Sequence, residues 1–268
     1  MSRWSNNNPS ADRRQRWLSY WHLLIALVSR DIRARYRRTV LGPLWAIIPA
    51  ILATAIYSFL GGLVNVDSEG APRLAFVFAA TVPWTFFQSS VVRIPYGVIS
   101  NGNLLRKMPV PRQIFPFVVL LTNFFDFLMA AVVLVIALQL LGIPITAAWL
   151  WLPLLVLQLG LLSWTVGIGV SAITIYRRDL LHGIGQIMQV WLFLTPVIYG
   201  SGELESRMQL LHTLNPAVGV IDGFRRVFVF GQPPDLNLLL TSLIVIGLGL
   251  LVAFPLFNTM SRYFADVV

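Results

Sequence analysis

The sequence lacks the residues on which several kinds of chemistry depend. It has no cysteine, which excludes a disulfide framework and a thiolate metal site. Lys107 is the only lysine, and it stands in Leu-Leu-Arg-Lys-Met. A P-loop needs Gly-x-x-x-x-Gly-Lys-Ser/Thr, so that backbone amides and the lysine hold the phosphates. The chain therefore cannot hydrolyse ATP by that route, and any ATP energy must come from another subunit.

Other catalytic patterns are also missing. The sequence contains neither a His-Glu-x-x-His motif nor a Gly-x-Ser-x-Gly elbow, and it lacks the paired aspartates with which sugar-nucleotide transferases hold a metal. Its histidines, His22, His182 and His212, lie in separate segments. These absences argue against metal catalysis, and we expect the chain not to be an enzyme.

Charge is scarce and apolar residues are abundant. Only 12% of the residues are charged and 57% are hydrophobic, whereas a soluble domain carries about 25% charged residues. The composition therefore predicts a polytopic membrane protein. The net charge is +9, and the basic residues stand at the ends of apolar segments. Membrane topology and anionic lipids explain this placement better than nucleic acid does.

Six segments are apolar over about the 20 residues that a bilayer span needs. They lie near 40–64, 74–95, 114–141, 149–175, 184–200 and 236–260. The fifth is short and carries Pro196 near its outer end. We therefore predict an all-α protein with a cytoplasmic segment over 1–38 and a six-helix transmembrane domain over 39–268.

The distribution of charge orients these spans. Most arginines fall on one side of the predicted membrane, and acidic residues such as Asp67, Glu69 and Asp235 fall on the other. Because basic residues are retained in the cytoplasm, the N-terminus is expected inside, and six spans return the C-terminus to the same side.

An amphipathic helix is predicted just before the first span. Apolar residues recur there at helical spacing, with Arg30, Arg33 and Arg37 offset from them; the apolar residues are Trp17, Trp21, Leu24, Ile25, Val28 and Ile32. Such a helix lies in the membrane interface. It either serves only to orient the chain or also docks a cytoplasmic partner.

Two segments between spans contain prolines that divide them. The inner segment, about 97–112, allows one or two helical turns before Pro109 and Pro111 stiffen it; the alternative is an ordinary basic loop. The outer segment, about 201–235, turns apolar after Asn215 and Pro216. It predicts either helices that re-enter the outer leaflet, buried by protein, with Asp222, Arg225 and Arg226 at the outer interface, or a folded surface hairpin.

Polar and aromatic residues inside the spans are possible site residues. Asp126 is the ionisable residue near mid-depth, and a carboxylate there is costly. Asn123 lies one turn earlier, which favours structural pairing over a transport role. Trp84, Phe86 and Phe87 follow Pro83 as the densest aromatic cluster. Most span aromatics belong to the interface or the core, although aromatic faces also stack on sugars.

The ordered motifs resemble those of the permease subunit of type-2 ABC exporters for polysaccharides, over nearly the whole chain. The motifs are Arg30-Asp31, Arg35-Tyr36-Arg37, Thr39-x-Leu41-Gly42-x-x-Trp45, Pro83-Trp84-Thr85-Phe86-Phe87, Asn101-x-Asn103-Leu104-x-x-Lys107, Pro111-Arg112-x-Ile114-x-Pro116, Tyr176-Arg177-Arg178-Asp179, Thr195-Pro196-Val197-x-Tyr199, Leu214-Asn215-Pro216 and Gly223-Phe224-Arg225.

The resemblance implies a homodimer bound to two ATP-binding cassette subunits, which would hold ATP and magnesium, with no cofactor in this chain. It implies coupling to those subunits through Asn101, Asn103, Leu104, Leu105, Arg106, Lys107, Pro109 and Arg112, with a second inner contact at Arg177, Arg178 and Asp179. It implies an outer gate that includes Asn215, Pro216, Phe224 and Arg225. Along the conduit at the dimer axis we expect Trp45, Tyr57, Trp84, Phe87 and Tyr199.

The cargo implied is a lipid-linked glycan of the O-antigen, capsule or teichoic-acid type, carried across the bacterial inner membrane. Its diphosphate would pair with arginines of the interface helix: Arg30, Arg33, Arg35, Arg37 or Arg38. Anionic membrane lipids are expected partners, and nucleic acid is not. One alternative is a lipid or drug exporter of the same kind. The other is a membrane glycosyltransferase, which would need a catalytic cluster that the sequence does not offer.

Overall fold

The chain folds into α-helices. The computed structural model describes residues 9–37, 39–101, 111–174, 177, 179–200 and 214–262. In these ranges there is no β-strand, which confirms the all-α prediction. The α-helices are α1 (Pro9–Tyr36), α2 (Ile48–Leu63), α3 (Arg73–Ser100), α4 (Ile114–Leu140), α5 (Leu152–Thr174), α6 (Leu180–Phe193), α7 (Pro216–Arg225) and α8 (Leu236–Arg262). Short 3₁₀ turns precede α2 and α5, at Gly42–Ala46 and Ala147–Trp151.

Five stretches of the described chain are long and apolar enough to cross a bilayer. They are Gly42–Leu63, Arg73–Ser100, Ile114–Leu140, Ala147–Thr174 and Leu236–Met260. The remaining predicted span forms α6, whose 14 residues extend about 21 Å, less than the ~30 Å hydrocarbon core. It ends before Pro196, because a proline disfavours helical geometry in the residue that precedes it. Six full-length spans are therefore not confirmed.

Helix α3 is the centre of the fold. In its most apolar window 78% of the residues are buried, against 17% for the α2 stretch and 22% for α8. It packs against α2, α4, α5, α6 and α7. A helix that is apolar all round belongs in the middle of a helical protein. It also contains two internal prolines, Pro83 and Pro95, both buried.

Helix α1 lies beside α4. Leu24, Leu27 and Val28 pack on a buried cluster that includes Ile114 and Phe115. Trp21 and Ile25 remain exposed. The apolar stripe predicted for this helix is therefore divided between a protein-facing side and an exposed side that suits lipid.

Helices α7 and α8 lie in close contact at Gly219. A Cβ atom built on Gly219 would lie 2.3 Å from the carbonyl oxygen of Leu238 and 2.5 Å from Ser242 Oγ. Only a residue without a side chain allows this contact, since the nearest atom belongs to the backbone.

The Gly219→Ala variant is expected to destabilise the protein by about 1–3 kcal/mol, because α7 must move away from α8. The matched control is Gly247→Ala, in α8, where a Cβ would meet nothing within 4 Å. That change should be neutral or slightly stabilising, because alanine favours helix. Thermal unfolding of the detergent-purified variants measures both, and equal midpoints for the two would contradict the close approach.

Candidate functional site

Three helices bring a charged cluster together around Asp126. Helix α1 supplies Arg35 and Tyr36 from its last turn, and both side chains bond directly to the Asp126 carboxylate. Helix α3 supplies Arg93, whose Nη1 lies 3.6 Å from Asp126 Oδ2. Helix α4 supplies Asp126 itself, halfway along its length. The carboxylate thus has partners from two neighbouring helices.

The side-chain amide of Asn123 connects the same groups. Its Oδ1 accepts from both terminal nitrogens of Arg35, at 3.3 and 3.2 Å, and from Arg93 Nη1 at 3.3 Å. Its Nδ2 donates to Ser90 Oγ at 3.2 Å. The sequence indicated Asn123 as the partner of Asp126. In the structure the two residues, one helical turn apart on one face of α4, share Arg35 instead.

These groups line a half-open cleft of about 350 Å³. Trp45 and Phe86 form apolar walls, and Thr85 and Ser89 add hydroxyl groups. The cleft holds two guanidinium groups and one carboxylate, so its side chains leave one net positive charge. Burial and the hydrogen bond to Asp126 raise the pKa of Tyr36 to about 12, so this hydroxyl keeps its proton at physiological pH. The described residues contain no group of three metal-ligating side chains.

The other arginines predicted near the diphosphate have different surroundings. Arg30 contacts Asp31 at 3.0 Å and Asn101 Oδ1 at 3.3 Å. Arg33 and Arg37 are exposed. Arg38 lies outside the described residues. Arg35 therefore lies in the cleft, and Arg30 joins α1 to the C-terminal end of α3.

Much of the predicted coupling surface lies outside the described residues. This applies to Asn103, Leu104, Leu105, Arg106, Lys107, Pro109 and Arg178. Arg177 and Asp179 are exposed just before α6 begins at Leu180. Arg112 lies two residues before α4. The coupling role of all these residues stays a prediction.

The five aromatic residues predicted for a conduit occupy different environments. Trp84 and Phe87 are fully buried, and Phe87 packs edge-on against Trp191 with ring centroids 5.2 Å apart. In this conformation neither side chain reaches the surface of the chain. Trp45 is 51% exposed, and Tyr57 and Tyr199 are half-buried.

Asn215 joins the start of α7 to the end of α6. Its Oδ1 accepts from Trp191 Nε1 at 3.0 Å and from the Ala217 amide at 3.1 Å, which caps α7. Its Nδ2 donates to the Leu194 carbonyl at 3.1 Å and to Thr195 Oγ1 at 3.0 Å. Pro216 follows as the first residue of α7, a position that needs no amide donor.

Arg225 connects α7 to the residues that follow α6. Its guanidinium group donates to the carbonyls of Val197 and Tyr199, both at 3.1 Å, and to that of Pro196. The guanidinium carbon also lies 3.9 Å from the ring centre of Phe76. Arg225 and Asp222, which we predicted at the outer interface, are both buried within the protein, Arg225 with 1% of its surface exposed. Phe224 is likewise buried.

A double-mutant cycle on Arg35 and Asp126 should give a coupling energy of about 1–3 kcal/mol, because both side chains are largely withdrawn from solvent. The variants are Arg35→Gln and Asp126→Asn. The matched cycle on Arg30 and Asp31, an exposed pair on the same helix, should give about 0–1 kcal/mol. Thermal or denaturant unfolding in detergent measures both, and equal coupling energies would refute the difference in burial.

Replacing Arg225 with Gln should lower the free energy of unfolding by about 2–4 kcal/mol, because buried carbonyls lose their donors. Arg225→Lys should recover only part of this loss, since an ammonium group cannot reproduce the planar fork. Arg33→Gln, an exposed arginine on α1, should change stability by less than about 0.5 kcal/mol. Wild-type stability in Arg225→Gln would show that these carbonyls need no guanidinium donor.

Comparisons with known proteins agree with this architecture. Residues 22–229 match the family described as ABC-2 type transporter. The chain is 26% identical to an O-antigen export system permease protein RfbA of Klebsiella pneumoniae, over 92% of this chain and 95% of that protein. It is 28% identical to the protein of the same name from Myxococcus xanthus, over 93% of this chain and 96% of that protein. With most of its length matched to the family and five apolar helices of spanning length, this chain is a multi-pass membrane protein that belongs to the ABC-2 type transporters.

Proposed function

We propose that this chain is the transmembrane subunit of an ATP-driven exporter that moves a lipid-linked polysaccharide across the bacterial inner membrane. The observation that carries the proposal is the end-to-end similarity to O-antigen export permeases from two bacteria. The lack of a P-loop supports a division of labour in which a separate subunit hydrolyses ATP. O-antigen-type glycans are the cargo class that these relatives suggest.

Two copies of the chain and two ATP-binding subunits would form the working exporter. Helix α2 carries a long exposed apolar face that includes Leu52, Ile56 and Phe59. Helix α6 adds Ile187 and Val190. Such faces suit lipid or a second copy of the chain. With α6 and the turn after it as the fifth of six crossings, the positive-inside rule places both termini in the cytoplasm.

Helix α6 offers a mechanical link between the two sides of the membrane. It begins beside Asp179, at the second predicted inner contact, and ends at the groups bonded by Asn215 and Arg225. We propose that movement of the ATP-binding subunits displaces the segment at 101–112 and the start of α6. The hydrogen bonds to Asn215 and Arg225 would then carry the displacement of α6 into α7, the outer gate. Re-entry of α7 into the outer leaflet is part of this proposal.

The cargo would enter from the inner leaflet with its diphosphate near the arginines predicted for this role: Arg30, Arg33, Arg35, Arg37 and Arg38. Charge-assisted bonds from guanidinium forks suit phosphate oxygens. Of the five aromatic residues predicted for the conduit, Trp45, Tyr57 and Tyr199 have surface exposure and would stack against sugars as the polymer moves.

The first test is co-expression with the ATPase encoded beside this chain. We expect a stable complex of two permeases and two ATPases, whose ATPase activity in nanodiscs differs from that of the ATPase alone. Mass photometry and phosphate release measure the two results. Purification of the permease without its partner would refute the exporter proposal.

Coupling is tested by Leu104→Asp combined with Leu105→Asp. If these residues enter a cleft of the ATPase, the new charges should uncouple hydrolysis from glycan export and reduce export at least tenfold. Asn237→Asp is the control, because it adds a carboxylate at the exposed outer start of α8, where a helix tolerates it. Normal export by the Leu104/Leu105 variant would rule out the coupling assignment.

A further inference from the structure

We propose that the cleft between α1, α3 and α4 is a binding site for the phosphate or diphosphate headgroup of a lipid. Arg93 and Arg35 would hold the headgroup, and Asp126 would act as a built-in competitor. The proposal deepens the proposed export function and rests on it for the identity of the cargo. It adds a residue of α3, Arg93, to the arginines that the sequence singled out on α1.

Arg93 is the available cation of the cleft. Its Nη1 donates to Asn123 Oδ1, and the Asp126 carboxylate, at 3.6 Å, lies beyond hydrogen-bond distance. The other guanidinium donors have no hydrogen-bond partner among the described residues. The Arg93 side chain is 47% exposed. An arginine carries five donors in a planar fork, so most of its capacity to bind an anion remains.

Arg35 differs because it is already oriented. Asp126 and Asn123 hold both of its terminal nitrogens, and Tyr36 helps to occupy the carboxylate. An oriented arginine loses little conformational entropy when an anion arrives. By contrast, Arg225 donates to three carbonyls and Arg226 pairs with Asp222 at 2.7 Å. Those two outer arginines are engaged within the protein, whereas the cleft keeps donors in reserve.

The charge balance sets both attraction and release. Two guanidinium groups face one carboxylate, so the cleft attracts an anion with one net positive charge. Asp126 competes for the same donors and repels phosphate oxygens, which keeps binding weak enough for the headgroup to leave. A transporter needs this balance, because a site that binds its cargo too tightly stops turnover.

The shape of the cleft suits a headgroup better than a polymer. A volume of about 350 Å³ lies at the lower end of the ~300–1,000 Å³ range for small-ligand pockets. Trp45 and Phe86 line it beside the hydroxyl groups of Thr85 and Ser89. These groups fit a sugar or glycerol attached to the phosphate. The cleft is half-open, and Trp45 at its wall is also exposed, so a lipid tail has room to lie outside.

The test measures binding of geranylgeranyl diphosphate to the permease–ATPase complex in phosphatidylcholine nanodiscs. Arg93→Gln should weaken binding about ten- to hundredfold, because a charge-assisted pair is lost. Arg93→Lys should give an intermediate affinity. The control is Arg13→Gln, which removes the same charge from α1 about 33 Å along the helix from Arg35 and should leave the affinity unchanged.

Asp126→Asn separates an anion site from a purely structural ion pair. If the carboxylate competes with the ligand, its removal should tighten diphosphate binding several-fold, even though the variant is less stable. A structural role alone gives lower stability without tighter binding. Partial unfolding cannot raise affinity, so the sign of the change is diagnostic. Equal affinities of wild type and Arg93→Gln, or weaker binding by Asp126→Asn, would overturn the proposal.

Phosphatidylglycerol in the nanodiscs identifies the source of the headgroup. If it displaces the diphosphate from wild type, the site serves a resident phospholipid; if it does not, the site serves the diphosphate of the cargo.

Failure of the export proposal gives a different result. If no ATPase binds but the isolated permease still binds the diphosphate in an Arg93-dependent way, the export proposal fails and the binding site stands. If the exporter is active but its diphosphate binding does not depend on Arg93, the binding site fails and the export proposal stands.

Discussion

A polar group surrounded by apolar side chains must find its partners inside the protein, and this constraint organises the whole fold. Lipid offers no hydrogen bonds, and an unpaired charge or carbonyl in such surroundings costs several kcal/mol. Asp126 meets the constraint through Arg35 and Tyr36. The carbonyls after α6 meet it through Arg225 and Asn215. These bonds attach the last turn of α1 to α3 and α4, and they attach both ends of α7 to the residues that follow α6.

The two sets of polar bonds lie in different parts of the fold. One holds the end of α1 against α3 and α4, and the other holds the start and end of α7 against the end of α6. Between them the contacts of α3 are almost entirely apolar. Apolar contacts are non-directional, whereas charge-assisted bonds require particular partners. The two sets of polar bonds therefore fix which groups meet, and the apolar contacts of α3 fill the space between them.

The sequence predicted what depends on local composition. Apolar length located the spanning helices, and the rarity of a carboxylate in such a segment singled out Asp126. It could not supply the partners of Asp126, because Arg35 lies 91 residues away and only packing brings them together. It could not show that Arg225 is buried, because the carbonyls that it satisfies belong to another segment. It could not tell that Trp84 and Phe87 are buried, since α3 is apolar on every side and shows no inward stripe.

The two prolines of α3 have a consequence for how this core bends. Each lacks an amide hydrogen and cannot bond the carbonyl four residues earlier, that of Ala79 for Pro83 and that of Val91 for Pro95. The hydrogen-bond ladder of this continuous helix is therefore interrupted at two positions. At either proline a bend does not have to break that hydrogen bond, because it is already absent. Since α3 touches most of the other helices, a small change of angle at Pro83 or Pro95 reorients several of them together. The most buried helix is therefore also the one with two positions, Pro83 and Pro95, at which a bend breaks the fewest hydrogen bonds.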